Sequence, residues 1–170
     1  NNSVIHNTLS SNTTAVSVSG GATNNKVGGP ALGNIFFFNG NAVLITDELT
    51  NGNVVSGNLM TANGNGVRIQ FGAASNIIGP VAAGSFPNER NTIEGNVIGV
   101  NIIAAAFNRV RGNWIGNTNG NQTGVSVSGA ASENTIGGSV AGEGNVISGN
   151  TNDGIDIFGT SNQVKGNLIG

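Results

Sequence analysis

Eight acidic residues, six basic residues and one histidine are the whole ionisable side-chain complement of this 170-residue chain. Any chemistry it performs must be assembled from those few groups. The acids are Asp47, Glu48, Glu89, Glu94, Glu133, Glu143, Asp153 and Asp156. Hydrolysis of a glycosidic bond needs two carboxylates held close together. Elimination assisted by Ca²⁺ needs a carboxylate cluster for the ion and an Arg or Lys to take the proton. Only Asp153 and Asp156 are near enough to share one short strand and its turn. The pattern therefore predicts no catalytic residue, no metal centre and no cofactor, with Ca²⁺ at Asp47-Glu48 or Asp153 as the alternative that no carboxylate cluster supports. His6 has no partner histidine or carboxylate and reads as an ordinary surface residue. Asp47, Glu48 and Asp153 stand among turn formers, where Asp bonds local backbone. Sugar contact is the binding chemistry that retains candidates: Arg68, Asn101 and Asp156 by hydrogen bonding, and Trp114, near Arg109 and Arg111, through its indole face. For Trp114 the competing expectation is packing against a neighbouring coil. Asn12-Thr13-Thr14 and Asn121-Gln122-Thr123 fit the glycosylation sequon.

These side chains must be positioned by elements that repeat. A small-Val-x-aliphatic motif, with Ile for Val in its last copy, starts at Ala15, Ala42, Gly66, Gly99, Gly124 and Gly154, at spacings between 24 and 33 residues. That is the period of a solenoid coil with insertions. A second motif, N-x-aliphatic-x-G-N-x-aliphatic, is compact at Asn53–Met60, Asn108–Ile115 and Asn162–Ile169, with a worn copy at Asn2, Val4, Asn7 and Leu9. In alternate coils a loop splits it: Asn25-Lys26-Val27 is followed by Gly33-Asn34-Ile35, and Asn134-Thr135-Ile136 by Gly144-Asn145-Val146. The largest split follows Asn76-Ile77-Ile78, where the loop from Gly79 to Arg90 holds two of the three prolines. Two-coil units therefore start near residues 4, 55 and 110, with a partial last unit from 164. Residues 1–170 form one domain of about six coils, short and long alternating.

Each coil carries three short apolar beats, as in Val146-Ile147, Ile155 with Ile157, and Val164 with Ile169. Side chains alternate along a strand, so Val67 and Ile69 point inward and Arg68 outward. Stacking coils at about 4.8 Å makes continuous Val and Ile columns that no single coil could bury. Gly, Asn and β-branched density argues against helix. The prediction is an all-β parallel solenoid with three short sheets. Its outward column Ser17, Leu44, Arg68, Asn101, Ser126, Asp156 holds one acid and does not form a metal nest. Glu94 and Arg111 are expected to face one another in successive coils as an ion pair of little worth. The repeated Asn7, Asn34, Asn58, Asn96, Asn113, Asn145 and Asn167 are expected at one corner, their amides forming a ladder along the axis.

Composition narrows the classes further. Charged residues are 8% of the chain, against about a quarter in ordinary domains, while hydrophobic residues are 37%. A net charge of −2 with abundant Val and Ile favours a packed β protein over disorder. Six scattered Lys and Arg make no nucleic-acid footprint. The longest apolar runs, 35–38 and 102–107, are far too short for a membrane span. Zero cysteines rule out disulfides and thiolate metal sites.

Across Asn134–Gly138, Gly144–Asn150, Gly154–Gly159 and Asn162–Gly170 the chain resembles right-handed, single-stranded parallel β-helix repeat proteins of the pectate-lyase-like superfamily. It is most similar to bacterial secreted or surface proteins with tandem NxIGG…GNVISGN…GIxIxG…NxVxGNxIG units. The resemblance implies a right-handed helix and an extracellular or cell-surface location. The family's pectin hydrolases carry Asp-Asp, Gly-His-Gly and Arg-Ile-Lys motifs that are missing here, the nearest echo being Arg68-Ile69-Gln70. The expectation is a non-enzymatic structural solenoid, a surface stalk, an adhesin segment or a subunit of a stacked filament. A carbohydrate-binding or polysaccharide-cleaving β-helix is the alternative. Regular Thr rows for ice binding are absent from the mixed outward columns. The chain shows no capping helix and no charged terminal coil, so its expected partners are flanking coils of a longer array or further subunits stacked end to end.

Overall fold

A computed structural model describes residues 1–82 and 87–170, and it winds the chain into successive coils of three strands separated by corners. The first wall stacks Ser3–Val4, Lys26–Gly28, Val54–Ser56, Ile77–Ile78, Arg109–Val110, Thr135–Gly137 and Gln163–Lys165. The second stacks Thr8–Ser10, Ile35–Phe37, Leu59–Thr61, Thr92–Glu94, Trp114–Ile115, Val146–Ile147 and Leu168–Ile169. The third holds the longest strands: Thr14–Val18, Asn41–Thr46, Asn65–Gln70, Ile98–Ile103, Thr123–Ser128 and Asp153–Ile157. Every strand pairs in parallel with its counterparts in the adjacent coils. This is the predicted parallel β-helix: six complete coils and two walls of a seventh. The sole helical element among the described residues is one 3₁₀ turn, Pro87–Glu89. No helix there is long and apolar enough to cross a membrane.

The core follows from strand alternation. Val27, Val55, Ile78, Val110 and Ile136 line the inside of the first wall; Phe36, Met60, Ile93, Ile115 and Ile147 line the second. Paired inward residues such as Val67 with Ile69 and Val100 with Ile102 line the third. Each is essentially inaccessible to solvent, and burying such a side chain contributes about 1.5–3 kcal/mol. Parallel register keeps like above like, so β-branched side chains stack in columns across rungs.

The small residue opening the first motif also has a steric cause. A Cβ on Gly99 would lie 2.6 Å from the carbonyl oxygen of Gly124 and 3.0 Å from Cγ2 of Ile115. The second-wall isoleucines thus occupy the space that a larger residue would need. Ala42 fills the equivalent place in coil two, fully buried.

At all three corners the residue before the turn asparagine takes a left-handed conformation in most coils. His6 (φ 57), Gly57 (φ 70), Gly112 (φ 63) and Gly166 (φ 67) do so between the first and second walls. Ser75 (φ 56), Phe107 (φ 59), Glu133 (φ 54) and Ser161 (φ 55) do so between the third and first. His6 therefore stands where later coils use glycine. In the even coils this first corner opens into loops instead, at residues 29–33 and 138–144 and, in coil four, at the described residues 79–82 and 87–90. Coil length alternates accordingly: asparagines at this corner are separated by 27, 24, 33, 22, 32 and 22 residues.

One register differs from expectation. In coil four the second wall is made by Thr92–Glu94, and the asparagine that opens it is Asn91. Asn96 belongs to the following corner. The cause is the long loop, which replaces the usual Gly before the asparagine by Arg90, so the Gly-Asn signature at residues 95–96 marks a different bend.

Candidate functional site

The most extensive polar constellation lies inside the corners. Asn7, Asn34, Asn58, Asn91, Asn113, Asn145 and Asn167 form the ladder at the first corner. Asn12, Asn39, Asn63, Asn96, Asn121 and Asn150 form a second. Asn2, Asn25, Asn53, Asn76, Asn108, Asn134 and Asn162 form a third. Asn113 shows the unit bond set. Its Oδ1 accepts from the backbone N (3.3 Å) and Nδ2 (2.8 Å) of Asn91. Its own backbone N and Nδ2 both donate to Oδ1 of Asn145 at 3.0 Å, and Nδ2 also donates to the carbonyls of Ile78 and Arg111 at 2.9 Å. Only an amide on a short side chain supplies an acceptor and two donors at this reach. Every link runs the same way, from the lower-numbered asparagine's donors to the next coil's oxygen.

No protein-family model, curated protein or solved structure matches this chain. The ladders also overturn the sequon reading. Asn121 is completely buried, its Nδ2 donating to Ile93 O and Asn150 Oδ1, and the Nδ2 of Asn12 bonds Ser10 O and Asn39 Oδ1. An oligosaccharide on either would require breaking a ladder.

The candidate sugar contacts divide between two walls. Arg68, Asn101, Ser126 and Asp156 align in one outward column of the third wall. Asn101 is largely buried, because its Nδ2 lies along the sheet and donates to Asn65 Oδ1 at 3.0 Å. Asn65 in turn donates to Asn41, and Asn41 to Thr14 Oγ1, a short outer ladder of the opposite polarity. Trp114 lies on the outer side of the second wall, between Thr92 and Val146, with the Arg90 guanidinium 5.5 Å from its ring centroid. Neither Arg109 nor Arg111 takes that place. Arg90 comes from the long loop, so only the folded chain brings it to the indole.

The expected pair of Glu94 with Arg111 does not form. Glu94 lies on the second wall beside Thr61, whereas Arg111 follows the first-wall strand of coil five. Arg111 instead clamps two loops: Nη1 meets Glu143 Oε1 at 2.7 Å, Nε donates to Pro80 O at 2.9 Å, and Nη2 donates to Val81 O. Sequence reasoning missed this because Glu143 sits 32 residues away in an insertion that breaks the repeat. Asp47 reaches beyond its own turn: it accepts from Gly20 N in the preceding coil at 3.0 Å and from the neighbouring Thr46 hydroxyl at 3.1 Å, so it ties two coils together rather than bonding local backbone. His6 is exposed, one ring nitrogen 3.1 Å from Ala31 O. Among the described residues no three of His, Asp and Glu come together as metal ligands. A concavity of about 750 Å³ lies over the first wall of coils one to three, lined by Lys26, Val54, Val81 and Glu89 among others. A notch of about 390 Å³ further along that wall joins Phe107, Arg109 and Glu133.

Proposed function

We propose that this chain is an extracellular structural β-solenoid: a rigid segment of a surface stalk or adhesin, or a subunit of a filament whose members stack head to tail. The observation that carries this reading is the common polarity of the three asparagine ladders. Each rung offers the next the same backbone and amide donors at all three corners. A further rung, from the same chain or from a second copy, is received by bonds already repeated along the axis. Heterologous contacts of this kind propagate as linear polymers. The scarcity of charge, 8% of residues, suits close packing of rung on rung without self-repulsion. Similarity of the repeat units to secreted and surface proteins of the pectate-lyase-like superfamily supports a location outside the cell.

Negative-stain microscopy tests the reading. Uniform filaments with an axial repeat of roughly 29 Å, six rungs at about 4.8 Å, support stacking. A stalk segment gives short rods that resist force-induced unfolding. Round particles that open at low force overturn both forms. The alternative, a carbohydrate-binding or polysaccharide-cleaving β-helix, draws support from the Arg90–Trp114 stack and the column of Arg68, Asn101 and Asp156. Affinity electrophoresis in acidic and neutral polysaccharides checks it, retardation lost in Trp114→Ala being the result in its favour.

A further inference from the structure

The outward face of the third wall carries charges that no described residue answers. The Arg68 side chain in coil three makes no hydrogen bond or ion pair with any described residue, and its Nε is covered from solvent without a partner. In coil six Asp156, and Asp153 at the head of the same strand, are likewise unpaired. The sole ion pair among the described residues is Arg111 with Glu143, at a different corner. Strand register puts Arg68, Asn101, Ser126 and Asp156 in one straight column. The two charges are thus three rungs apart, about 14 Å at 4.8 Å per rung, with neutral polar residues between them.

We propose that the third wall is a docking face for a second copy of this chain, the two walls meeting face to face with coil order reversed. A two-fold axis lying in the interface and parallel to the strands produces this arrangement. Midway between coils four and five, the axis sets Arg68 of each copy opposite Asp156 of the other, and Asn101 opposite Ser126. It also sets Asn65 opposite Asp153, since those residues share the neighbouring column. The alternative symmetry, with coil order preserved, places Arg68 against Arg68 and Asp156 against Asp156, a like-charge penalty that selects against it. Charge position therefore dictates orientation as well as partner.

Coils three to six overlap in this dimer, a sheet area about 19 Å by 20 Å in projection. That is below the roughly 800 Å² per partner of stable complexes, so association is reversible and weakens with salt. This lateral contact is independent of head-to-tail stacking and stands or falls separately from it.

Sedimentation velocity on the 170-residue chain, from micromolar to near-millimolar concentration at low and high salt, provides the test. A monomer–dimer equilibrium is expected at low salt. Arg68→Asp alone, and Asp156→Arg alone, each weaken dimerisation about tenfold or more by setting like charges opposite one another. The double variant R68D/D156R exchanges the charges and restores the dimer, while Arg109→Asp on the first wall leaves it unchanged. Thermal melts by circular dichroism verify that each variant is folded. A monomer at every concentration, association of any size indifferent to the single reversals, or failure of the double variant to restore it would each overturn the proposal.

Discussion

Asn113 shows why the corner residue is an asparagine. Serine would supply one donor at most, and aspartate would keep the acceptor but lose both donors and bury a charge at each rung. Removing the amide in Asn113→Ala leaves the backbone N of Asn91, the Oδ1 of Asn145 and the carbonyls of Ile78 and Arg111 short of partners inside the fold. Each such group costs about 1–3 kcal/mol when unsatisfied, with partial relief by relaxation, so the expected loss is about 3 kcal/mol in urea unfolding. Asn7→Ala, at an exposed rung, is expected to lose less than about 1 kcal/mol. Equal losses at the two positions would show that the ladder contributes little beyond local turn propensity.

At the scale of the element, the walls are repetitive and the loops are individual. The first corner alternates between a tight left-handed bend and an insertion, and the tight bends meet the next coil's loop carbonyls: Gly57 N donates to Glu89 O and Gly112 N to Glu143 O, both at 2.9 Å. Arg111 then ties the loop after Ile78 to the loop that holds Glu143. It is nearly buried and Glu143 is 17% exposed, so truncating one partner strands the other in a poorly hydrated place. Arg111→Ala is expected to lower stability by roughly 2–3 kcal/mol. Limited proteolysis should show faster cutting at residues 79–82 and 138–144, with the walls spared. Unchanged cleavage there would mean that Arg111 is not the clamp.

For the molecule as a whole, stability in a solenoid is a sum over rungs and the interfaces between them. Interior coils have neighbours above and below, and their inward residues are fully covered, as at Val67, Ile69, Val100 and Ile102. The last rung is half open: Val164 is 42% and Ile169 51% exposed. In the isolated 170-residue chain, amide hydrogen exchange should therefore be slowest in coils three to five and fastest at residues 163–170, a gradient along the axis. Filament formation would abolish that gradient at the rungs it covers. A flat protection profile in dilute monomer would contradict rung-by-rung stability.

The period of 24 to 33 residues, the alternation of Val and Ile with polar neighbours and the density of Gly and Asn determined the parallel solenoid by themselves, because every coil repeats the same local physics. One corner ladder and the outward column of the third wall were legible for the same reason. Two further ladders were not, since their asparagines follow residues as varied as Phe38, Ala62, Phe107 and Glu133, and only the left-handed backbone unites them. Asn91, Arg90 and Glu143 escaped because insertions carry no register: where a loop returns is decided by the rung beneath it. The match of Arg68 to Asp156 across three rungs likewise needed the stacking, which turns residues 88 positions apart into members of one column. Local pattern chose the coil, and tertiary stacking decided which side chains meet.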